Sequence, residues 1–172
     1  TLGRLRSAFE QIGHEVYFLT PQSVDNVSDH RVSPINLNTC KSLTNTLRWR
    51  FDFERTFQDH FASAIRDQAL KLLNEQQIDI FEMEETQGWV KTVASALSIP
   101  GVTRLHGTRF TQEKISPQIT RKRSNKNRIN REGEGIRSSF AVSAPSKVVL
   151  QSTQDFYGSF SGVSKIIPNP IP

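Results

Sequence analysis

The residues with the most chemistry to offer stand in two short runs, Glu84-Glu85-Thr86-Gln87 and His106-Gly107-Thr108-Arg109. Histidine changes charge nearest neutral pH, and its ring both donates and accepts hydrogen bonds. Carboxylates accept hydrogen bonds from hydroxyl groups, but Glu84 and Glu85 are too close in sequence for the two-carboxylate arrangement of a glycoside hydrolase. Each run also has a plainer reading. His106 can cap a turn, and the glutamates can sit favourably against the N-terminal dipole of a helix running through Trp89. Ser143 and Ser146 read as caps of a helix starting at Lys147 rather than as nucleophiles, since no histidine stands at a recognisable spacing. His14 reads as structural, and His30 and His60, on polar turn and helix surface, receive no role. The single Cys40 excludes an internal disulfide framework and a cysteine-based metal site. No metal site is visible, and no cofactor is expected.

These runs need elements to position them, and the pattern of the chain supplies a series. Leu2, Leu5, Ala8, Phe9 and Ile12 predict an amphipathic helix over residues 2–12, closed by Gly13 and followed by a strand over 15–19. Residues 21–46 are polar and turn-rich, with a weak strand near Val32 to Leu37. Phe53, Phe57, Phe61, Ile65 and Ala69 step by four and predict a helix from Leu47 to Glu75. Then come a strand over 78–83, a helix over 86–97, a strand ending at Leu105, and a helical stretch reaching Ser139. A strand at Phe140–Pro145, a helix from Ser146 and a last strand at Lys165–Asn169 complete the series. Alternating strands and helices predict an α/β fold, a Rossmann-like parallel sheet with helices on both faces. In such sheets ligands lie at the carboxyl ends of strands, at the topological switch point. Four loops qualify: those at Glu84–Gln87, His106–Arg109, Ser143–Ser146 and Pro168–Pro170.

Composition sets the outer bounds. With 172 residues, 35% hydrophobic and 23% charged, the chain fits one globular domain. No stretch approaches the roughly 20 apolar residues of a membrane span. Arg4 and Arg6 lead into an amphipathic pattern and not a signal sequence, so a reducing, cytosolic setting is the default. The net charge of +5 is concentrated in Arg121, Lys122, Arg123, Lys126, Arg128 and Arg131. Such a cluster suits the phosphates of nucleic acid, of a nucleotide or of a membrane surface, and equally a solvated, mobile lid over residues 112–131. Pro117 and Asn125 are expected to interrupt any regular helix through it, and no aromatic residues are interleaved with its charges. No nucleic-acid partner is therefore expected.

Four segments in order carry a resemblance: GHEVYFLT, IDIFEMEETQGW, VTRLHGT and FAVSAPSKVVLQSTQDFYG followed by KIIPNPI. Together they resemble the N-terminal half of the family 4 (group 1) glycosyltransferases of the two-domain GT-B fold, weakest over residues 21–75. The resemblance implies that residues 1–172 are one Rossmann-like acceptor-side domain, with the first strand before Thr1 and the donor-binding domain beyond Pro172. The acidic E-x7-E motif of that second domain is not in this sequence, so the chain alone is expected to transfer no sugar. The resemblance further implies transfer of a sugar, with retention, from a nucleotide-sugar donor to a carbohydrate or lipid-linked acceptor in cell-envelope polysaccharide assembly. It implies His106 in the cleft beside the transferred sugar, as the catalytic position. Glu84, Glu85, Gln87, Gly107 and Arg109 would then bind substrate, with Asn169 shaping the turn into the hinge. Localisation would be cytoplasmic, with peripheral contact at the inner face of the membrane. The rival readings are a phosphate- or nucleic-acid-binding module built on residues 121–131, and a nucleotide-sugar epimerase of the same architecture.

Overall fold

The longest helix forms where phenylalanines recur every four residues. In the computed structural model, which describes residues 2–20, 29, 31–35, 53–115 and 123–169, helix α2 spans Phe53–Glu75. It is preceded by α1 (Leu2–Gln11), β1 (Phe18–Thr20) and β2 (Val32–Pro34). The expected start of α2 at Leu47, like Cys40, His30, Arg121 and Lys122, lies outside the described residues. Phe61, Ala62, Ala64, Ile65 and Ala69 are buried along one stripe of α2. Each large side chain so buried contributes on the order of 1.5–3 kcal/mol.

Beyond α2 come β3 (Phe81–Glu84), a 3-10 turn (Thr86–Gly88) and α3 (Trp89–Ala94). They are followed by β4 (Gly101–Arg104), α4 (Arg109–Ile115) and α5 (Arg123–Ser138). The described chain closes with β5 (Ala141–Ala144), α6 (Lys147–Tyr157) and β6 (Val163–Ile166). β3 to β6 form one parallel sheet in sequential order, with Phe81 opposite Gly101, Val102 opposite Ala141 and Ala141 opposite Val163. β1 and β2 form a separate parallel pair. The fold is α/β, with parallel strands flanked by helices. Because the order of β3 to β6 never reverses, the described sheet itself contains no switch point.

One core cluster joins Ile35, Phe61, Ile65, Val93 and Leu97, with Leu19, Phe81, Met83 and Trp89 packed against it. Trp89 closes its edge: its ring lies 4.4 Å from that of Phe61, and its Nε1 donates to Gln58 Oε1 at 2.9 Å. A second cluster joins Leu105, Ile136, Val142 and Ala144. β3 shows the period-two logic of a strand with one face on the core, Phe81 and Met83 alternating with exposed Glu82 and Glu84. It begins three residues later than the pattern at Ile78 predicts, since pairing starts where Phe81 meets Gly101, and Ile80 is left 55% exposed.

The basic segment departs from expectation. Residues 123–131 are not a flap but the first turns of α5, which passes through Asn125 unbroken. Asn125 is buried, and its Oδ1 accepts from Arg109 Nη2 at 2.9 Å. With its amide engaged by another helix, it no longer competes for its own backbone. Gly13 ends α1 at φ 89° and His14 packs on Phe9, both as expected. Ser146 caps α6, its hydroxyl accepting from Val149 N at 3.3 Å. Ser143 does not cap: it lies buried in β5, its Oγ without a hydrogen-bond partner among the described residues.

Candidate functional site

The parallel strands deliver Glu84, Glu85 and His106 to the same end of the sheet. Glu84 ends β3, and His106 follows β4 by two residues. Leu105, fully buried, anchors the second loop, its backbone N donating to Ser143 O at 2.8 Å. His106 thereby emerges from the sheet with its side chain 41% exposed and its Nε2 3.6 Å from Glu84 Oε1. Glu84 is itself open to solvent, so this imidazole–carboxylate pair can meet a ligand from outside.

Beneath the pair lies a layer of buried carboxylates. Glu85 is only 2% exposed. Its carboxylate accepts from the backbone N–H of His106 at 3.1 Å and of Gly107 at 2.8 Å. Glu132, from α5, is equally buried and accepts from Arg109 N at 2.7 Å, Gln87 N at 3.3 Å and Arg128 Nε at 2.7 Å. Two carboxylates from different elements therefore fix both candidate loops by their backbone amides. Glu132 also accounts for the backbone of Gln87, whose φ of 60° is unusual for a residue with a side chain. Its backbone amide is held where a left-handed residue places it.

Burial pushes the Glu85 carboxyl above its ordinary value, an effect that the N–H groups of Gly107 and His106 oppose and the charge of Glu132 reinforces. Tyr157 is shifted in the same sense: burial, then the charges of Glu132 and Glu85, push its phenol well up. Its hydroxyl has no hydrogen-bond partner among the described residues. Gly133 gives this ring its space, since a Cβ there would meet the ring edge.

Set against expectation, the predicted residues divide. His106 and Glu84 reach the surface together. Gly107 lies beside them, with nothing within 4 Å of where a Cβ would stand. Glu85 is a correction: it faces inward, because three residues past Phe81 the chain leaves the strand and turns its acid under the next loop. Arg109 bonds Gln112 Oε1 and Asn125 Oδ1 through its guanidinium, both at 2.9 Å, and so fastens α4 to α5, while its Nε is buried without a hydrogen-bond partner among the described residues. Gln87 is half-buried, with its Oε1 enclosed and without a hydrogen-bond partner among the described residues. Asn169 accepts from Arg104 Nη2 at 2.8 Å, which ties the segment after β6 to the tip of β4. Sequence reasoning passed over Glu132 and Tyr157, and read Arg128 only as a member of the basic cluster. A signal was present in Arg128 and Glu132, an ion pair at helical spacing of four, with the acid ending a run otherwise basic.

Among the described residues no helix is long and apolar enough to cross a membrane. The chain matches no family model and no curated protein.

Proposed function

We propose that this chain is the acceptor-side half of a glycosyltransferase that moves a sugar from a nucleotide-sugar donor to a carbohydrate or lipid-linked acceptor. The observation that carries the reading is the exposed His106–Glu84 pair at the carboxyl ends of adjacent parallel strands, mounted on a loop held rigid by a buried carboxylate. A rigid loop matters because a group that stabilises developing charge works best when its position is fixed before reaction. In this reading Nε2 of His106 bonds a hydroxyl of the transferred sugar, and Glu84 accepts from hydroxyls of the acceptor. The ordered motifs around IPNPI supply the family analogy. The parallel α/β fold is the scaffold such an enzyme requires, although that fold also serves many other activities. The cytoplasmic location and peripheral membrane contact belong to the same proposal.

The test is direct. His106→Ala in the protein that carries this chain is expected to lower sugar transfer by roughly two orders of magnitude, the scale of one lost charge-stabilising donor. Circular dichroism would remain unchanged, because the side chain is exposed and makes no core contact. Full activity in the variant, or no turnover of any nucleotide-sugar by the parent, would refute the assignment.

A further inference from the structure

A second candidate site lies away from the His106 loop, in a groove between α2, α3 and α5. Its volume is about 520 Å³, within the range that holds small ligands. Three helix faces converge there, and what they present is polar. From α2 come Arg55, Asp59 and Arg66, at offsets of 4 and 11 residues that share one helical face. α3 adds Lys91, and α5 adds Asn127, Asn130, Arg131 and Glu134 at offsets of 3, 4 and 7. A groove between packed helices ordinarily fills with aliphatic side chains; here no large apolar residue lines it.

The charges do not balance. Four cations line the groove against two carboxylates, and the carboxylates are placed to hold the cations. Glu134 Oε2 bonds Lys91 Nζ at 2.9 Å, while Asp59 lies 3.7 Å from Arg131 Nη1 and 3.8 Å from Arg55 Nε. Arg66 is steadied by Asp67, which is not part of the lining. Arg131 is the key residue. Its Nε and Nη1 are buried, yet neither has a hydrogen-bond acceptor among the described residues. A buried guanidinium N–H left unmet is costly, so these donors favour an incoming acceptor. Asn127 and Asn130 stand one turn and one residue before it on the same face, with side-chain amides that bond no other described residue.

We propose that this groove binds a phosphate group, with Arg131 and Lys91 as its charged contacts and Asn127 and Asn130 as its neutral donors. The chemistry fits a tetrahedral dianion: planar guanidinium donors for paired oxygens, one ammonium as a point charge, and amides for the remaining lone pairs. The phosphate can belong to a small phosphomonoester or to a lipid headgroup. The proposal is independent of the glycosyltransferase reading, because neither His106 nor Glu84 lines the groove.

The experiment is an NMR titration of the full chain with inorganic phosphate, matched in ionic strength by chloride. It is paired with sedimentation on vesicles of phosphatidylcholine with and without phosphatidic acid. Phosphate should shift the amides of Lys91, Asn127, Asn130 and Arg131 before any others. Lys91→Gln and Arg131→Gln should each weaken it by roughly tenfold, the scale of one charge-assisted hydrogen bond. Lys91 is exposed, so its replacement leaves folding intact even if Arg131→Gln does not. Binding to phosphatidic-acid vesicles, competed by phosphate, would identify a lipid headgroup as the source; binding of phosphate alone would identify a soluble phosphomonoester. Overturning outcomes are groove amides that do not respond to phosphate or vesicles, or a response that Lys91→Gln leaves unchanged.

Discussion

Glu85 shows how one side chain can hold a site in place and still oppose folding. Its carboxyl is raised above the ordinary value near 4.5, chiefly by burial. An acid with a raised folded-state value binds more protons when folded than when unfolded, so stability falls as pH rises past 4.5. The burden is absent below that pH and complete once the folded-state value is passed. The difference in Tm between Glu85→Gln and the parent should therefore move in the variant's favour between pH 4.5 and neutrality, as scanning calorimetry would read. A constant difference across that range would contradict it. Glu132 is held by more partners, a guanidinium as well as two amides. Removing one partner of such a buried pair costs about 3–5 kcal/mol, so Glu132→Ala is expected to lose that much in urea denaturation. Neither role was legible in the sequence. A glutamate beside another glutamate at a strand end does not reveal which one turns inward, and Glu132 acts through contacts 23 and 45 residues away. The position of His106 was legible, because a strand tip followed by glycine is a local pattern.

At the scale of elements, the helix-to-helix contacts depend on glycine at one place above all. Gly88 has φ 70°, and a Cβ there would collide with the backbone carbonyl of Arg131. Gly88→Ala is thus expected to cost about 2–4 kcal/mol through combined strain and overpacking. Gly107→Ala, at a glycine with open space around it, should stay within about 0.5 kcal/mol, both read by chemical denaturation. Equal effects would show that backbone conformation at Gly88 is not the determinant. The same contact explains what periodicity read well and badly. α2 was plain because aromatic and aliphatic residues recur every four positions from Phe53 to Ala69, four steps in all. α5 was obscured because its buried face carries Asn125, Glu132 and Gly135, residues that usually signal loop or solvent. Polar residues become interior ones here because another helix or loop supplies their partners. A single sequence does not show that pairing.

Across the whole molecule, two kinds of cohesion divide the chain. The sheet from β3 to β5 is backed by apolar clusters, with Leu105, Val142 and Ala144 almost wholly excluded from solvent. α1 is different: Leu5 and Phe9 are 41% exposed and Ile12 is 70% exposed. What ties it to the approach to β2 is a charge network, in which Arg6 pairs with Glu10 and Asp29, and Arg31 bonds Glu10 at 2.6 Å. These ion pairs are partly open to water, and such pairs contribute only about 0–1 kcal/mol each and weaken with salt. Near 1 M salt the screening length falls to roughly 3 Å, while apolar burial is not screened. Hydrogen exchange should accordingly separate the two regions. Raising salt from low ionic strength to about 1 M should speed exchange at Phe18 and Val32, whose amides bond Arg31 O and Asp29 O, while Thr103 and Val142 stay protected. Arg6→Gln at low salt should reproduce the high-salt pattern, because it removes the residue shared by two of the pairs. Uniform acceleration across all strands would instead mean that the charge network and the main sheet open as one cooperative unit.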